Sequence, residues 1–222
     1  MNSIAGIGAR GAKIYTKTGD SKITGIQGGV RLTKHSFRIE AIGSIDELNA
    51  SLGFLLSLHE NNRMKKTGTE FKIMLEKIQR TLFVIGADLS RTLIINNSIP
   101  HPLRRHYPKE DLNPAVKIPR IRLTEVHDLE NWIDQFQSHL PPLRNFILPQ
   151  GGLMGAYTQV TRTICRRAER RAVQLAMHSK INPLILAYLN RLSDLLFLLA
   201  RALNYKNKKP EIIWSPASLH LS

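Results

Sequence analysis

Apolar side chains recur every three or four residues along five segments of the chain, which is the spacing of one face of an α-helix. These segments cover residues 37–58, 71–89, 124–140, 153–178 and 184–203. The fifth is apolar on almost every side, which is typical of a helix surrounded by others. No segment alternates apolar and polar residues as a half-buried strand would. The pattern therefore predicts an all-α fold, an antiparallel five-helix bundle.

Capping and helix-breaking residues predict where some of these helices begin and end. Thr124 can cap the third helix, and Pro141 with Pro142 can stop it. Pro183 can occupy the first turn of the fifth helix, where its missing N–H costs nothing. We therefore expect the third helix to begin with a threonine cap.

The order of these segments predicts a single domain with an insertion. Residues 92–119 contain five prolines among basic residues, too many for a helix, and indicate a long surface insertion. The bundle domain is expected to cover residues 13–205. A disordered or short targeting tail of residues 1–12 precedes it, and a C-terminal tail of residues 206–222 follows.

Composition narrows the classes of partner. The 222 residues carry a formal net charge of +15, which predicts anionic partners such as nucleotides, nucleic acid or acidic lipid. The single cysteine, Cys165, excludes an internal disulfide and a four-cysteine zinc site, and its position favours packing. The first acidic residue is Asp20, so the start of the chain has the acid-poor, basic character of a mitochondrial import signal. A frayed terminus explains this stretch equally well.

The fourth helix contains a cluster of arginines. Arg162, Arg166, Glu169 and Arg170 share one narrow stripe of this helix, opposite an apolar face, while Arg167 and Arg171 lie on its flank. One guanidinium group can donate to two phosphate oxygens at once, so the stripe predicts a polyphosphate site. A solvated basic face is the alternative. Arg171 is expected to remain a surface residue.

Polar residues also interrupt the first and fifth helices. Asn190, Asp194 and Arg201 follow a single line of the apolar fifth helix, which indicates either a cleft shared with the arginine stripe or a structural hydrogen-bond network. Asp46 and its acidic neighbours lie near the start of the first helix. Their carboxylates either interact with the positive end of the helix dipole or pair with an arginine of the stripe.

The segment before the first helix is polar and rich in glycine. Residues 13–36 are predicted to form an extended stretch followed by a flexible loop. Within it, the hydroxyls, the backbone amides around Gly19 and the amine of Lys17 suit phosphates, although a simple polar turn is the alternative. No G-x-x-x-x-G-K-[ST] motif is present, so this is not a Walker loop.

Five motifs occur together in one order along the chain. They are YTKTGD at residues 15–20, EAIGSIDELN at 40–49, FILPQGG at 146–152, CRRAER at 165–170 and YLNRLSDLLF at 188–197. In this order they resemble the PduO-type cob(I)alamin adenosyltransferases, and the animal mitochondrial branch most of all. The resemblance covers residues 13–205.

The resemblance implies a homotrimer of helical bundles in which the N-terminal segment of one subunit and the fourth helix of its neighbour hold ATP. The ATP site implied by position consists of Thr16, Lys17, Thr18, Gly19, Thr24, Gly25, Lys34, Arg166, Arg167, Ala168, Glu169, Arg170 and Asn190. Asp46 and Arg162 match an intersubunit salt bridge, and with Arg166 and Arg170 they are the candidate catalytic residues. Phe146 and Asp194 are the candidate cobalamin-binding residues.

The implied reaction is attack of the cobalt(I) centre of cobalamin on the ribose 5′ carbon of ATP, which forms adenosylcobalamin and releases triphosphate. The protein has to align the reactants and neutralise the departing phosphates. Mg²⁺ is expected on the ATP phosphates, with no metal site built from protein side chains. An adenosylcobalamin-dependent mutase is the implied acceptor of the product, and neither nucleic acid nor membrane is an expected partner.

Two rival functions are consistent with the sequence, and two features depart from the family's pattern. A basic helical RNA-binding protein is favoured by charge, and a slow cobalamin carrier or chaperone would retain the same site. Lys22 stands where the family usually has glycine, which predicts an altered loop. The insertion of residues 92–119 is longer than usual.

Overall fold

The computed structural model describes residues 13–15, 17–26, 30–61, 69–91 and 119–215. Its helices are α1 (Phe37–Asn61), α2 (Thr69–Ser90), α3 (Leu123–Ser138), α4 (Leu153–His178) and α5 (Leu184–Lys206). The predicted five-helix, all-α architecture is confirmed, and α4 has the bounds that its periodicity predicted. No helix in the described ranges is both long enough and apolar enough to cross a membrane.

Successive helices run in opposite directions around a single core. Leucines at three- and four-residue spacing on α1 and α2, such as Leu48 and Leu82, are almost completely buried. Helix α5 lies at the centre, because it packs against both α3 and α4 and buries residues on nearly every side. Its predicted central position is therefore confirmed.

The base of the insertion is tied together by buried polar groups. Arg38, at the start of α1, donates hydrogen bonds to the carbonyl oxygens of Leu89 and Arg91 at the end of α2. The Asp88 carboxylate accepts from Arg120 at 3.2 Å and from Asn182 at 2.9 Å. Both ends of the insertion therefore meet at one place, while residues 92–118 lie outside the described residues.

The cap predicted for α3 was wrong. The helix begins at Leu123 with Arg122 as its N-cap, and the Glu125 carboxylate accepts the backbone N–H of Arg122 at 2.8 Å. Thr124 already lies in the first turn, so its hydroxyl cannot cap the helix from outside. The glutamate at the third helical position satisfies the free N–H instead.

Two short strands form where the sequence predicted only an extended polar segment. Strands β1 (Ile23–Gly25) and β2 (Arg31–Thr33) pair antiparallel, with Ile23 opposite Thr33. Each has three residues, too few to show an alternating pattern in the sequence. A further isolated antiparallel bridge joins Ile147 to Ile213, beyond the end of α5.

Replacing Arg38 with methionine tests the anchor at the base of the insertion. Arg38→Met leaves carbonyl oxygens at the end of α2 without their donor, so we expect the free energy of unfolding to fall by about 1–3 kcal/mol. Chemical denaturation measures this change. Arg80→Met is the matched control, because Arg80 is 83% exposed and surface substitutions usually change stability by less than about 0.5 kcal/mol. Equal effects of the two substitutions would contradict the anchoring role.

Candidate functional site

Helix α4 presents its arginine stripe to solvent. The side chains of Arg166 and Arg170 are exposed, whereas Ala168, Ala172 and Leu175 on the apolar face are buried. The helical-wheel prediction is therefore confirmed. Ala168 was assigned to the ATP site by resemblance. Its side chain packs in the core beneath the stripe and cannot contact a ligand in solvent.

The flanking arginines are already paired with α1. Arg167 donates to the Glu47 carboxylate, and an Arg171 nitrogen lies 3.4 Å from the nearest Glu40 carboxylate oxygen. The acidic residues of α1 thus meet the flank of α4 and not the stripe. Arg171 keeps 42% of its side chain exposed, so it lies at the surface as predicted, where it pairs with Glu40. Arg167, assigned to ATP by resemblance, is engaged by Glu47 in this chain.

Arg162 and Asp46 each lie apart from the other within the chain, and Arg162 bonds within its own helix. Arg162 Nε donates to the buried Gln159 side chain at 2.7 Å, while Asp46 is exposed on α1. Burial and, secondarily, the nearby Arg166 lower the pKa of Arg162. A guanidinium destabilised in this way gains from a carboxylate partner. The pairing of Arg162 with Asp46 of another subunit stays a prediction.

Asn190 brings α5 to the arginine stripe. Its Nδ2 donates to the Glu169 carboxylate at 3.2 Å, and Arg170 Nη1 donates to the Arg166 carbonyl at 3.2 Å. Asp194 is exposed one turn further along α5. Arg201 does not join this group, because it is buried and holds Glu211 at 2.6 Å. Asn190 and Arg201, from the predicted line of three polar residues, thus belong to two separate networks.

Cys165 packs in the core, as predicted. Its side chain is fully buried and its Sγ donates to the Leu189 carbonyl at 3.3 Å. Burial raises the pKa of the thiol, so the nucleophilic thiolate form is disfavoured. Within the described ranges, no group of three or more His, Cys, Asp or Glu side chains is placed to hold a metal ion.

The N-terminal loop folds against the strands that follow it. Arg31 donates to the Thr18 carbonyl, and the Lys34 backbone N–H donates to the Lys22 carbonyl at 2.9 Å. Lys34 Nζ lies 3.5 Å from the position a Cβ would take at Gly19. The predicted loop residues Lys17, Thr18, Gly19 and Lys34 are thus brought together, and Thr24 and Gly25 follow in β1. Thr16 lies outside the described residues.

Phe146 projects from the segment that precedes α4. Its side chain is 79% exposed and meets the Trp214 ring edge to face, with 6.4 Å between the ring centroids. The Trp214 backbone N–H donates to the Phe146 carbonyl at 2.8 Å, and Leu148 donates to the Ile212 carbonyl at 2.9 Å. Residues after α5, expected as a tail, therefore form part of the support for Phe146.

Asn204 is a candidate positioning residue that the sequence reasoning missed. Its side chain is buried, donates to the Gln150 carbonyl at 2.9 Å and accepts the Gly152 N–H at 3.0 Å. Gly151 has a φ of 137°, and a Cβ at Gly151 or Gly155 would come within 2.2 Å of the Asn204 amide. Glycine is therefore required at both places. An asparagine in the last turn of an apolar helix was the available signal.

Comparison with known proteins gives consistent relatives. A family profile described as cobalamin adenosyltransferase matches residues 14–203. A protein named cobalamin adenosyltransferase from Cupriavidus metallidurans is 36% identical, over 94% of this chain and 97% of its own. The chain belongs to the cobalamin adenosyltransferase family.

A mammalian relative and a solved structure agree with this assignment. Corrinoid adenosyltransferase MMAB from Homo sapiens is also 36% identical, over 91% of this chain and 73% of its own. A variant of the PduO-type ATP:corrinoid adenosyltransferase from Lactobacillus reuteri, solved with cobalamin and ATP, superposes with a TM-score of 0.76. It is 33% identical and covers 92% of this chain and 97% of its own. The Cupriavidus and human proteins are equally identical to this chain, at 36%.

Within this adenosyltransferase chain the candidate residues lie in three places. Phe37 stacks on His178, so the loop and strands before α1 leave the bundle at the C-terminal end of α4. Phe146 lies beyond the other end of α4. Arg166 stands between them, about 20 Å along the helix from its first residue. One chain alone therefore separates these groups along the length of α4.

The adenosyltransferase keeps a glycine-like backbone at Lys22. Lys22 has a φ of 65° and Lys17 a φ of 58°, both in the left-handed region that favours glycine. The altered loop path that Lys22 predicted is therefore not required, because the lysine adopts the conformation that glycine would take. The left-handed conformation costs a non-glycine residue about 1–2 kcal/mol.

Replacing Lys22 with glycine relieves this strain. We expect Lys22→Gly to slow hydrogen exchange of the Lys34 backbone amide, which is bonded to the Lys22 carbonyl, by about two- to fivefold. Amide exchange followed by NMR measures the change. Ser21→Gly is the control, because Ser21 has no positive φ and glycine there only adds flexibility. Faster exchange in both variants would contradict strain at Lys22.

Proposed function

We propose that this chain transfers the 5′-deoxyadenosyl group of ATP to cob(I)alamin. The cobalt(I) electron pair forms the bond to the ribose 5′ carbon as the bond from that carbon to the triphosphate oxygen breaks. The products are adenosylcobalamin and triphosphate. One observation carries the assignment to α4: Arg166 and Arg170 are exposed on one stripe, while their flanking neighbours Arg167 and Arg171 already have carboxylate partners.

The stripe and the loop supply positive charge for the triphosphate. Arg166 and Arg170 are fixed cations at every physiological pH, and their forked donors match phosphate oxygens. Lys34 stands beside Gly19, where backbone groups can approach phosphates closely. Mg²⁺ is expected to reach the site on the ATP phosphates. Because positive charge stabilises the leaving group, these residues lower the barrier to its departure.

We further propose that the site forms between subunits of a homotrimer. In one chain, the loop before α1 lies near the C-terminal end of α4, whereas the arginine stripe lies further back along that helix. A second subunit can bring its own loop to the stripe. Arg162 and Asp46 are both accessible, which permits a salt bridge across the same boundary. Alignment of cobalt, carbon and leaving group requires such a closed arrangement.

Phe146 is proposed to face the lower side of the corrin ring. Its exposed ring and that of Trp214 form an apolar surface which can exclude water or another ligand from the cobalt. Asp194, exposed on α5, is proposed to contact cobalamin. A mitochondrial location and an adenosylcobalamin-dependent mutase as acceptor complete the proposal, in keeping with the similarity to mammalian relatives.

Anaerobic incubation with ATP, Mg²⁺ and chemically reduced cobalamin tests the function. We expect an alkylcobalamin absorbance spectrum and stoichiometric triphosphate. Arg166→Ala should lower kcat/KM by about 10²-fold or more, because it removes a cation from the leaving group. Arg80→Ala is the matched control, since Arg80 is exposed on α2.

The same assay separates the enzyme from its rivals. A protein that binds cobalamin without forming product would be a carrier, and the transferase proposal would fail. Light scattering on each variant checks that Arg166→Ala keeps the oligomeric state of the wild type. Unchanged turnover in Arg166→Ala would remove this arginine from the site.

Asn204→Ala tests the support of Phe146. Loss of the amide frees the Gly152 N–H and the Gln150 carbonyl, so we expect the KM for cob(I)alamin to rise and the affinity for ATP to stay unchanged. A buried pair left without partners also lowers the free energy of unfolding by about 1–3 kcal/mol. Asn207→Ala is the control, since the Asn207 side chain, just after α5, donates to the Leu203 carbonyl of that helix. Equal losses for both substrates would contradict this role.

A further inference from the structure

The Asn190 amide has a charged partner on each side. Its Nδ2 donates to Glu169 Oε1 at 3.2 Å, and its Oδ1 accepts from Arg191 Nη1 at 2.7 Å. An ionised carboxylate only accepts hydrogen bonds and a guanidinium only donates them. Turning the amide over would set oxygen against carboxylate and NH₂ against guanidinium. The two neighbours therefore allow only one orientation of Asn190.

Arg191 is itself held from a third helix. Its Nε donates to Glu130 Oε1 on α3 at 3.2 Å. A continuous series of hydrogen bonds thus runs from Glu130 through Arg191 and Asn190 to Glu169, crossing from α3 over α5 to the stripe of α4. Because a guanidinium is rigid and planar, fixing one of its nitrogens limits where the others can point.

We propose that Arg191 is a positioning residue for the ATP site. Held by Glu130, it orients the Asn190 amide and, through that amide, the Glu169 carboxylate beside Arg166 and Arg170. The inference rests on the proposed function, because Asn190 and Glu169 belong to the ATP site that the family resemblance implies. Arg191 acts through Asn190, and its contacts go to protein groups.

An effect of Arg191 on ATP binding could also arise from its charge alone, and this explanation predicts the opposite result for one variant. Arg191 is a cation, so it could favour ATP simply by its charge. Glu130→Gln separates the two, because it removes a negative charge and replaces the charged anchor of Arg191 with a weaker, neutral acceptor. Attraction by charge alone predicts tighter ATP binding in Glu130→Gln. Positioning predicts weaker binding despite the more favourable charge.

Calorimetry of MgATP binding to the assembled protein without cobalamin is the first measurement. We expect the Kd to rise about tenfold in Arg191→Ala, the effect of one lost charge-assisted hydrogen bond. In Glu130→Gln we expect a rise of about threefold. Asp128→Asn is the matched control, since Asp128 is also an acid of α3 but pairs with Lys77 at 2.7 Å. Its Kd should stay within the error of the wild type or fall slightly.

A double-mutant cycle shows whether Arg191 acts through Asn190. If it does, the double variant Asn190→Ala with Arg191→Ala binds MgATP no more weakly than Asn190→Ala alone. Arg191→Lys keeps the charge and a donor, but it lacks the rigid fork whose separate nitrogens bind Asn190 and Glu130, so partial rescue is expected. If Arg191→Ala does not fold, Arg191→Lys takes its place in the binding measurement.

The outcomes separate the two levels of proposal. A wild-type protein that binds no MgATP contradicts the proposed function itself. A wild type that binds MgATP, with Glu130→Gln equal or tighter, overturns the positioning role alone. Additive losses from Asn190→Ala and Arg191→Ala overturn it as well, because they would show that Arg191 acts on ATP independently of Asn190.

Discussion

Burial of α5 is the constraint on which the rest of the structure depends. A helix packed on nearly all sides must give those of its polar side chains that are removed from water a hydrogen-bonding partner. Asn190 finds Glu169, Arg201 finds Glu211 and the Pro141 carbonyl, and Asn204 finds the backbone around Gly152. Each partner belongs to a segment at the surface. The hydrogen bonds that satisfy the polar side chains of α5 therefore also hold Glu169 in the stripe of α4 and the segment that carries Phe146.

The division of the arginines on α4 follows from how α1 packs. Glu40 and Glu47 lie on the side of α1 that meets α4, so they reach Arg171 and Arg167 and neutralise that flank. The charges of Arg166 and Arg170 remain available on the open side. A chain with a net charge of +15 has many cations, and what distinguishes these two is that they share one stripe beside a carboxylate fixed by Asn190.

Periodicity predicted the helices and the faces of α4, because both depend on local spacing alone. It could not predict which arginine meets which acid, since a helical wheel describes one helix and not the angle at which its neighbour packs. Asn190 and Arg201 fall on one line of the wheel, yet about 16 Å of helix separates them and they serve different networks. Asn204 was missed because its partners, Gln150 and Gly152, lie some fifty residues away in the chain. The strands β1 and β2 were too short to show a pattern.

The two left-handed lysines of the loop show how a local cost can serve a charged site. Lys17 and Lys22 hold positive φ values that glycine would adopt without strain. Glycine would give the same turn but would remove two cations from a loop that also contains Lys34. Backbone strain is common where a site requires a particular side chain at a particular turn. For a loop proposed to face a triphosphate, each lysine adds attraction for the phosphates that acts against the cost of its conformation.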